Sequence, residues 1–152
     1  MAEVAKSQPV KVREYNRFKI TPIAGALGAE IHGIDVNNLD DETFDDIHSA
    51  WLQYQVLAIR DQDVTPDQQK EFGRRFGDLQ PHAFNAPIDG HPEITEIFKD
   101  KHETANNGGR WHTDQHYRTE PAKMTMLFAH EMPPHGGDTC FANTYLGYES
   151  LS

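Results

Sequence analysis

The stretch that decides the fold class is residues 111–139, WHTDQHYRTEPAKMTMLFAHEMPPHGGDT. From Ala122 to Met132 every second side chain faces the same way, so that Met124, Met126 and Phe128 share one face with Met132. This period of two predicts a long strand over 122–132. A Pro-Pro-His-Gly-Gly turn follows at 133–137, and residues 138–142 are predicted to form the next strand. Strands joined by long loops, after two early helices, indicate an α+β protein.

Upstream of this stretch the sequence predicts two helices and several short strands. Glycine turns divide residues 20–36 into two strands, and residues 56–59 read as a buried strand. One helix begins at about Asp41. A second begins after Thr65, which forms a capping box with Gln68, and Pro66 is its first helical residue. Residues 80–92 are predicted to be a loop, 94–98 a strand, and 144–151 the start of a third helix.

Composition and charge exclude several classes of protein. The 152 residues carry 14 basic and 24 acidic side chains, a net charge of −10, which argues against a nucleic-acid partner. No uncharged stretch approaches the roughly 20 residues of a membrane helix. Cys140 is the only cysteine and the first residues lack an apolar signal region, so we expect a cytoplasmic location. Residues 1–19 are predicted to be a flexible N-terminal arm, and a homo-oligomer is left open.

The motif that carries chemistry is His112-Thr113-Asp114. Side chains two apart in an extended segment project from the same face, so an imidazole nitrogen and a carboxylate oxygen can bind one metal ion. Two histidines and one carboxylate hold Fe(II) in non-haem oxygenases and leave positions open for cosubstrate and O2. From the spacing alone a surface histidine beside an acid is the commoner explanation, because nine histidines and 24 acids make chance pairs frequent.

Taken together, Trp111-His112-Thr113-Asp114, the strand after it and the Gly-Gly-Asp-Thr run at 136–139 resemble the taurine/2,4-dichlorophenoxyacetate (TauD/TfdA) dioxygenase family. The similarity continues through 56–62, 65–69, 72–79 and 148–152, and so covers residues 20–152 as the N-terminal part of one domain. It implies a double-stranded β-helix (jelly-roll, cupin-like) core with flanking helices, incomplete in this chain. It also implies an Fe(II)- and 2-oxoglutarate-dependent dioxygenase.

The resemblance assigns roles to four residues. His112 and Asp114 match iron ligands, Thr139 matches the threonine that holds the distal carboxylate of the 2-oxoglutarate cosubstrate, and His82 matches a histidine that contacts the substrate. The implied reaction uses O2 to hydroxylate a small anionic organic substrate, with release of succinate and CO2. That substrate is a sulfonate such as taurine, or an aryloxy or carboxylic acid.

Some positions depart from the taurine enzymes. Asn85 replaces a tyrosine and Gly108 an asparagine, which puts taurine itself in doubt. The third iron ligand and the arginine that binds 2-oxoglutarate have no counterpart in this chain; His116 is predicted to line the pocket or support the ligands. The 152 residues alone are therefore expected to be inactive. Two alternatives stay open: a catalytically inactive fragment or binding module, and a zinc hydrolase, against which the Gly-Gly-Asp-Thr run speaks.

Overall fold

The computed structural model describes residues 14–100, 102–104 and 108–151. In chain order the elements are β1 (Lys19–Pro22), β2 (Ala29–His32), α1 (Asp41–Tyr54), β3 (Leu57–Ile59), α2 (Pro66–Arg74), β4 (Pro87–Ile88), β5 (His91–Thr95) and α3 (Thr144–Glu149). They form two compact units. The first consists of the chain up to Gln62 together with the chain from Ala142 onward, and the second is Asp63–Phe141. Among the described residues, none of the helices has the length and apolar character to cross a bilayer.

The first unit is built around a three-stranded sheet in the order β1-β2-β3. Strand β2 pairs antiparallel with β1 and parallel with β3, and α1 makes the crossover between the two parallel strands. Its core contains Ile31 of β2, which is fully buried, and Ile47 of α1, which is 1% exposed. Burying each of these side chains contributes about 1.5–3 kcal/mol. Asp40 begins the helix as predicted, because its carboxylate accepts the backbone N–H of Thr43 at 2.7 Å.

The predicted N-terminal arm lies partly outside the described residues, which begin at position 14. Its last part contacts α1: the Tyr15 hydroxyl donates to Gln53 at 3.1 Å, and Phe18 is buried. Arg17 donates to the buried carboxylate of Asp46 at 3.4 Å. These contacts hold residues 15–18 on the first unit, while the flexibility of residues 1–13 stays a prediction.

The second unit contains α2 and the hairpin β4-β5, and α2 packs on β5. The predicted capping box at Thr65 and Gln68 is present, with Pro66 in the first turn. The hairpin turns at Gly90, whose φ of 75° favours glycine. Phe72 of α2 is buried, and its ring meets that of Phe76 edge to face at 5.4 Å. The rest of this unit is irregular chain, which carries the motif at 111–114.

The sequence predictions for strands after residue 80 need correction. Residues 122–132 and 138–142 form no strand. The strand predicted at 94–98 is observed at His91–Thr95, so it overlaps the prediction at positions 94–95 and begins within the predicted loop 80–92. A strand requires a neighbour for its backbone hydrogen bonds, and no described segment pairs with 122–132. The described sheets have three and two strands, so the double-stranded β-helix is not assembled by the described residues.

Candidate metal and substrate site

His112 and Asp114 lie in an irregular segment of the second unit and not in a strand. Their side chains nevertheless converge, with His112 Nε2 at 3.2 Å from Asp114 Oδ1. Both side chains are about half exposed, at 56% and 51%. The pair therefore presents one nitrogen and one oxygen at an accessible point of the surface.

The His112 ring is oriented by a backbone carbonyl. Its Nδ1 lies 2.7 Å from the carbonyl oxygen of Arg110. A carbonyl can only accept, so Nδ1 must carry the proton, and in the neutral ring the lone pair is then on Nε2. This is the tautomer that a histidine needs in order to bind a metal through Nε2.

Asp114 is held at its other oxygen. The Thr125 hydroxyl donates to Oδ2 at 2.7 Å, which leaves Oδ1 directed at His112 Nε2. The carboxylate thus has one oxygen committed to the protein and one facing the site. Sequence analysis did not single out Thr125, because the contact spans 11 residues of irregular chain.

The donor set suits a divalent first-row metal. Imidazole nitrogen and carboxylate oxygen are both ligands of Fe(II), and adjacent ligands of an octahedral ion with bonds of about 2.0–2.2 Å lie about 3 Å apart. The observed 3.2 Å matches that spacing. In the part of the chain that the structure describes, no group of three or more His, Cys, Asp and Glu side chains is placed to hold a metal. His116 turns its Nδ1 to the Thr113 carbonyl at 3.1 Å.

The loop that carries His82 fixes the tautomer of that ring. His82 Nδ1 accepts the backbone N–H groups of Phe84 and Asn85, at 3.2 and 3.0 Å. Because Nδ1 is an acceptor, the ring is neutral and its proton is on Nε2. His82 therefore presents a single N–H donor, which is the group needed to bind an anionic oxygen.

Arg118 ties this loop to the turn that follows Asp114. Its Nη1 donates to Gln80 Oε1 at 3.0 Å and to Gln115 Oε1 at 2.7 Å. Gln115 sits at φ 49° within a turn closed by the Arg118 N–H donating to the Gln115 carbonyl at 3.0 Å. Sequence analysis missed Arg118, and no local pattern signals it, because Gln80 is 38 residues away.

Two exposed aromatic rings lie beside His82. Phe84, 80% exposed, packs on Tyr117 with ring centroids 6.0 Å apart, and the His82 ring meets Phe84 at 6.4 Å. Tyr117 is itself 57% exposed and comes three residues after Asp114. This ring pair, Phe84 and Tyr117, offers apolar area next to a hydrogen-bond donor.

The remaining positions singled out by the sequence are Thr139 and Gly108. Thr139 is exposed in irregular chain, and no described contact joins it to His112 or Asp114. Gly108 has a φ of 69°, and a Cβ at that position would lie 3.4 Å from His112 Cε1. Gly108, Gly109, Arg110 and His112 line an open depression of about 480 Å³. A side chain at position 108 would therefore contact the His112 ring, and the positive φ would strain its backbone.

Comparison with known proteins decides the family. The family profile "Taurine catabolism dioxygenase TauD, TfdA family" matches residues 19–152. This chain belongs to the TauD/TfdA family. Membership implies a cupin-like fold, and it confirms the resemblance drawn from the motifs between Ile20 and Ser152.

Three curated relatives show what the chain is similar to. The (S)-phenoxypropionate/alpha-ketoglutarate-dioxygenase of Sphingobium herbicidovorans is 33% identical over 88% of this chain and 48% of its own length. The alpha-ketoglutarate-dependent sulfonate dioxygenase of Saccharomyces cerevisiae is 33% identical, over 90% and 36%. The alpha-ketoglutarate-dependent sulfate ester dioxygenase of Pseudomonas putida is 31% identical, over 87% and 44%. The chain thus spans about half the length of these TauD/TfdA relatives, or less.

Proposed function

We propose that this chain supplies part of the active site of an Fe(II)- and 2-oxoglutarate-dependent dioxygenase that hydroxylates a small anionic substrate. The observation that carries the proposal is the pairing of His112 Nε2 with Asp114 Oδ1 at 3.2 Å, each side chain held from behind. With iron and 2-oxoglutarate bound, such a site couples oxidative decarboxylation, which yields succinate and CO2, to hydroxylation of a substrate C–H bond by O2. The three relatives described above are named dioxygenases, and this favours the function over an inactive binding module or a zinc hydrolase.

The chain's own residues take distinct parts in this function. His112 and Asp114 hold the iron, with a histidine from outside the described residues as the third ligand. Thr139 donates its hydroxyl to the distal carboxylate of 2-oxoglutarate. His82 donates its Nε2–H to an oxygen of the substrate anion, because its Nδ1 is already occupied by two backbone N–H groups.

The rings beside His82 favour a substrate that carries an aromatic group. An aryl ring could stack on Phe84 and Tyr117, a contact worth about 0.5–1.5 kcal/mol beyond the area it buries. Asn85 replaces the tyrosine of the taurine pattern with a shorter amide side chain, and Gly108 removes the asparagine side chain of that pattern. We therefore propose aryloxy or arylalkyl acids ahead of taurine. The cytoplasmic location, the homo-oligomer and the single domain over residues 20–152 stay predictions.

The test is turnover by the full-length protein. Purified protein is given Fe(II), ascorbate, 2-oxoglutarate and either an aryloxy acid or an alkyl sulfonate, and succinate is measured. We expect substrate-dependent succinate that disappears in His112→Ala. Succinate that is independent of every substrate offered, or unchanged in His112→Ala, would contradict the proposed function. Residues 1–152 expressed alone should give none above the His112→Ala background.

A further inference from the structure

The Thr125 hydroxyl contacts the one carboxylate in the site that faces His112. It donates to Asp114 Oδ2 at 2.7 Å, the usual distance of a well-formed O–H···O hydrogen bond. Both side chains are exposed, so burial does not force the contact. Thr125 belongs to the run 122–129, where Ala122, Met124, Met126 and Phe128 are half-buried and the residues between them point outward.

We infer that Thr125 is a positioning residue for the metal centre, an inference that rests on the proposed function. A free aspartate can rotate and offer either oxygen, or both, to a metal. With Oδ2 fixed by Thr125, only Oδ1 remains on the side of His112 Nε2. The pair is then set for one bond from each residue, with the two donor atoms already at the spacing of adjacent ligands. Partners of this kind change metal affinity by about 10- to 100-fold in other proteins.

The alternating pattern explains how Thr125 reaches Asp114. Met124 and Met126 turn toward the unit and are half-buried, so the side chain between them must point the other way. Met124 and Met126 thus pack against the unit, while the Thr125 hydroxyl between them donates to Asp114. Thr125 acts through Asp114, and it is given no contact with substrate.

The experiment measures the affinity of the full-length protein for Mn(II), by calorimetry or by the electron paramagnetic resonance of the free ion. Thr125→Val keeps the shape of the side chain and removes the donor, Thr125→Ser keeps the donor, and Thr119→Val is the matched control at an exposed threonine of the same unit. We expect about a 10-fold or greater loss of Mn(II) affinity in Thr125→Val. Thr125→Ser and Thr119→Val should stay within about threefold of the wild type.

Two results would overturn the inference. One is that Thr125→Val binds Mn(II) as tightly as the wild type. The other is that Thr125→Ser, which retains the hydroxyl, loses as much Mn(II) affinity as Thr125→Val. Should Thr125→Val fail to fold, a crystal structure of the wild type with Mn(II) decides, because a Thr125 Oγ1 to Asp114 oxygen distance beyond hydrogen-bond range contradicts the role. A wild-type protein that binds no Mn(II) counts against the proposed function itself, whatever Thr125 does.

Discussion

Arg118 offers the sharpest perturbation of substrate binding, because its side chain hydrogen-bonds Gln80 and Gln115 and so joins the His82 loop to the turn after Asp114. Arg118→Met keeps most of the apolar stem and removes both side-chain hydrogen bonds. The bond to Gln115 is internal to the turn, whereas the bond to Gln80 links the two segments, beside the packing of Phe84 on Tyr117. A net hydrogen bond of this kind contributes about 1 kcal/mol, which corresponds to about a fivefold change in the ratio of docked to undocked loop.

The assay compares the KM for substrate with the Mn(II) affinity in the full-length protein. We expect Arg118→Met to raise the KM for the anionic substrate by up to about fivefold while kcat and Mn(II) affinity stay within about twofold. The matched control is Arg60→Met: Arg60 likewise donates to a side-chain acceptor, Glu30, but it belongs to the first unit. Its KM for substrate should not change.

A double-mutant cycle makes the reasoning refutable. Gln80→Leu removes the same inter-segment bond from the other side, so Arg118→Met and Gln80→Leu together should be little worse than either alone. Fully additive effects would show that the two residues act separately. An unchanged KM in a folded Arg118→Met protein would show that the hydrogen bond does not hold the loop.

Three further predictions follow from the other contacts. His112→Ala should abolish Mn(II) binding and turnover while leaving the far-ultraviolet circular dichroism of the protein unchanged, because the side chain is half exposed. Thr139→Ala should raise the KM for 2-oxoglutarate by roughly 2- to 13-fold with a smaller effect on kcat, as steady-state kinetics at varied cosubstrate will test. The hydrogen bond from Arg60 lowers the pKa of Glu30 below its usual 4.5. The ionised Glu30 therefore stabilises the fold fully above pH 4.5, and this stabilisation is lost as the pH falls through the pKa of Glu30 in the folded protein. Glu30→Gln should therefore flatten the fall of Tm with acid in that range, and an unaltered Tm curve would contradict the assignment.

The helices were predictable because their start signals are local. Thr65, Pro66 and Gln68 are within four positions of one another, and the capping box forms from those residues alone. The hairpin β4-β5 was missed although Asp89-Gly90 is a favourable hairpin turn. The prolines of residues 80–92 favoured a loop, yet Pro87 and Pro92 are accommodated in a two-stranded sheet, where both strands are edges.

The strand predicted at 122–132, which does not form, shows a different limit of prediction from the sequence. The alternation predicted for 122–132 is present over 122–129, where Met124, Met126 and Phe128 are half-buried and Leu127 is 64% exposed. It was wrong for Met132, which is 60% exposed and does not share their face. Periodicity, however, reports which side of the chain faces the protein and not whether a neighbouring strand is present. The chain spans about half of its TauD/TfdA relatives or less, and the described residues offer no segment that pairs with this one.

The candidate site differs from a chance pair of surface residues because the side-chain atoms that point away from the proposed ligands are hydrogen-bonded to the protein. His112 Nδ1, Asp114 Oδ2 and His82 Nδ1 each have a protein partner within 3.2 Å. What these contacts leave is one nitrogen lone pair, one carboxylate oxygen and one N–H donor. The spacing of His112 and Asp114 could be predicted from the sequence, whereas these supporting contacts depend on tertiary folding. A surface histidine that met an acid by chance would have no need of a second partner on both residues, and this favours a site whose ligands are oriented before the metal binds.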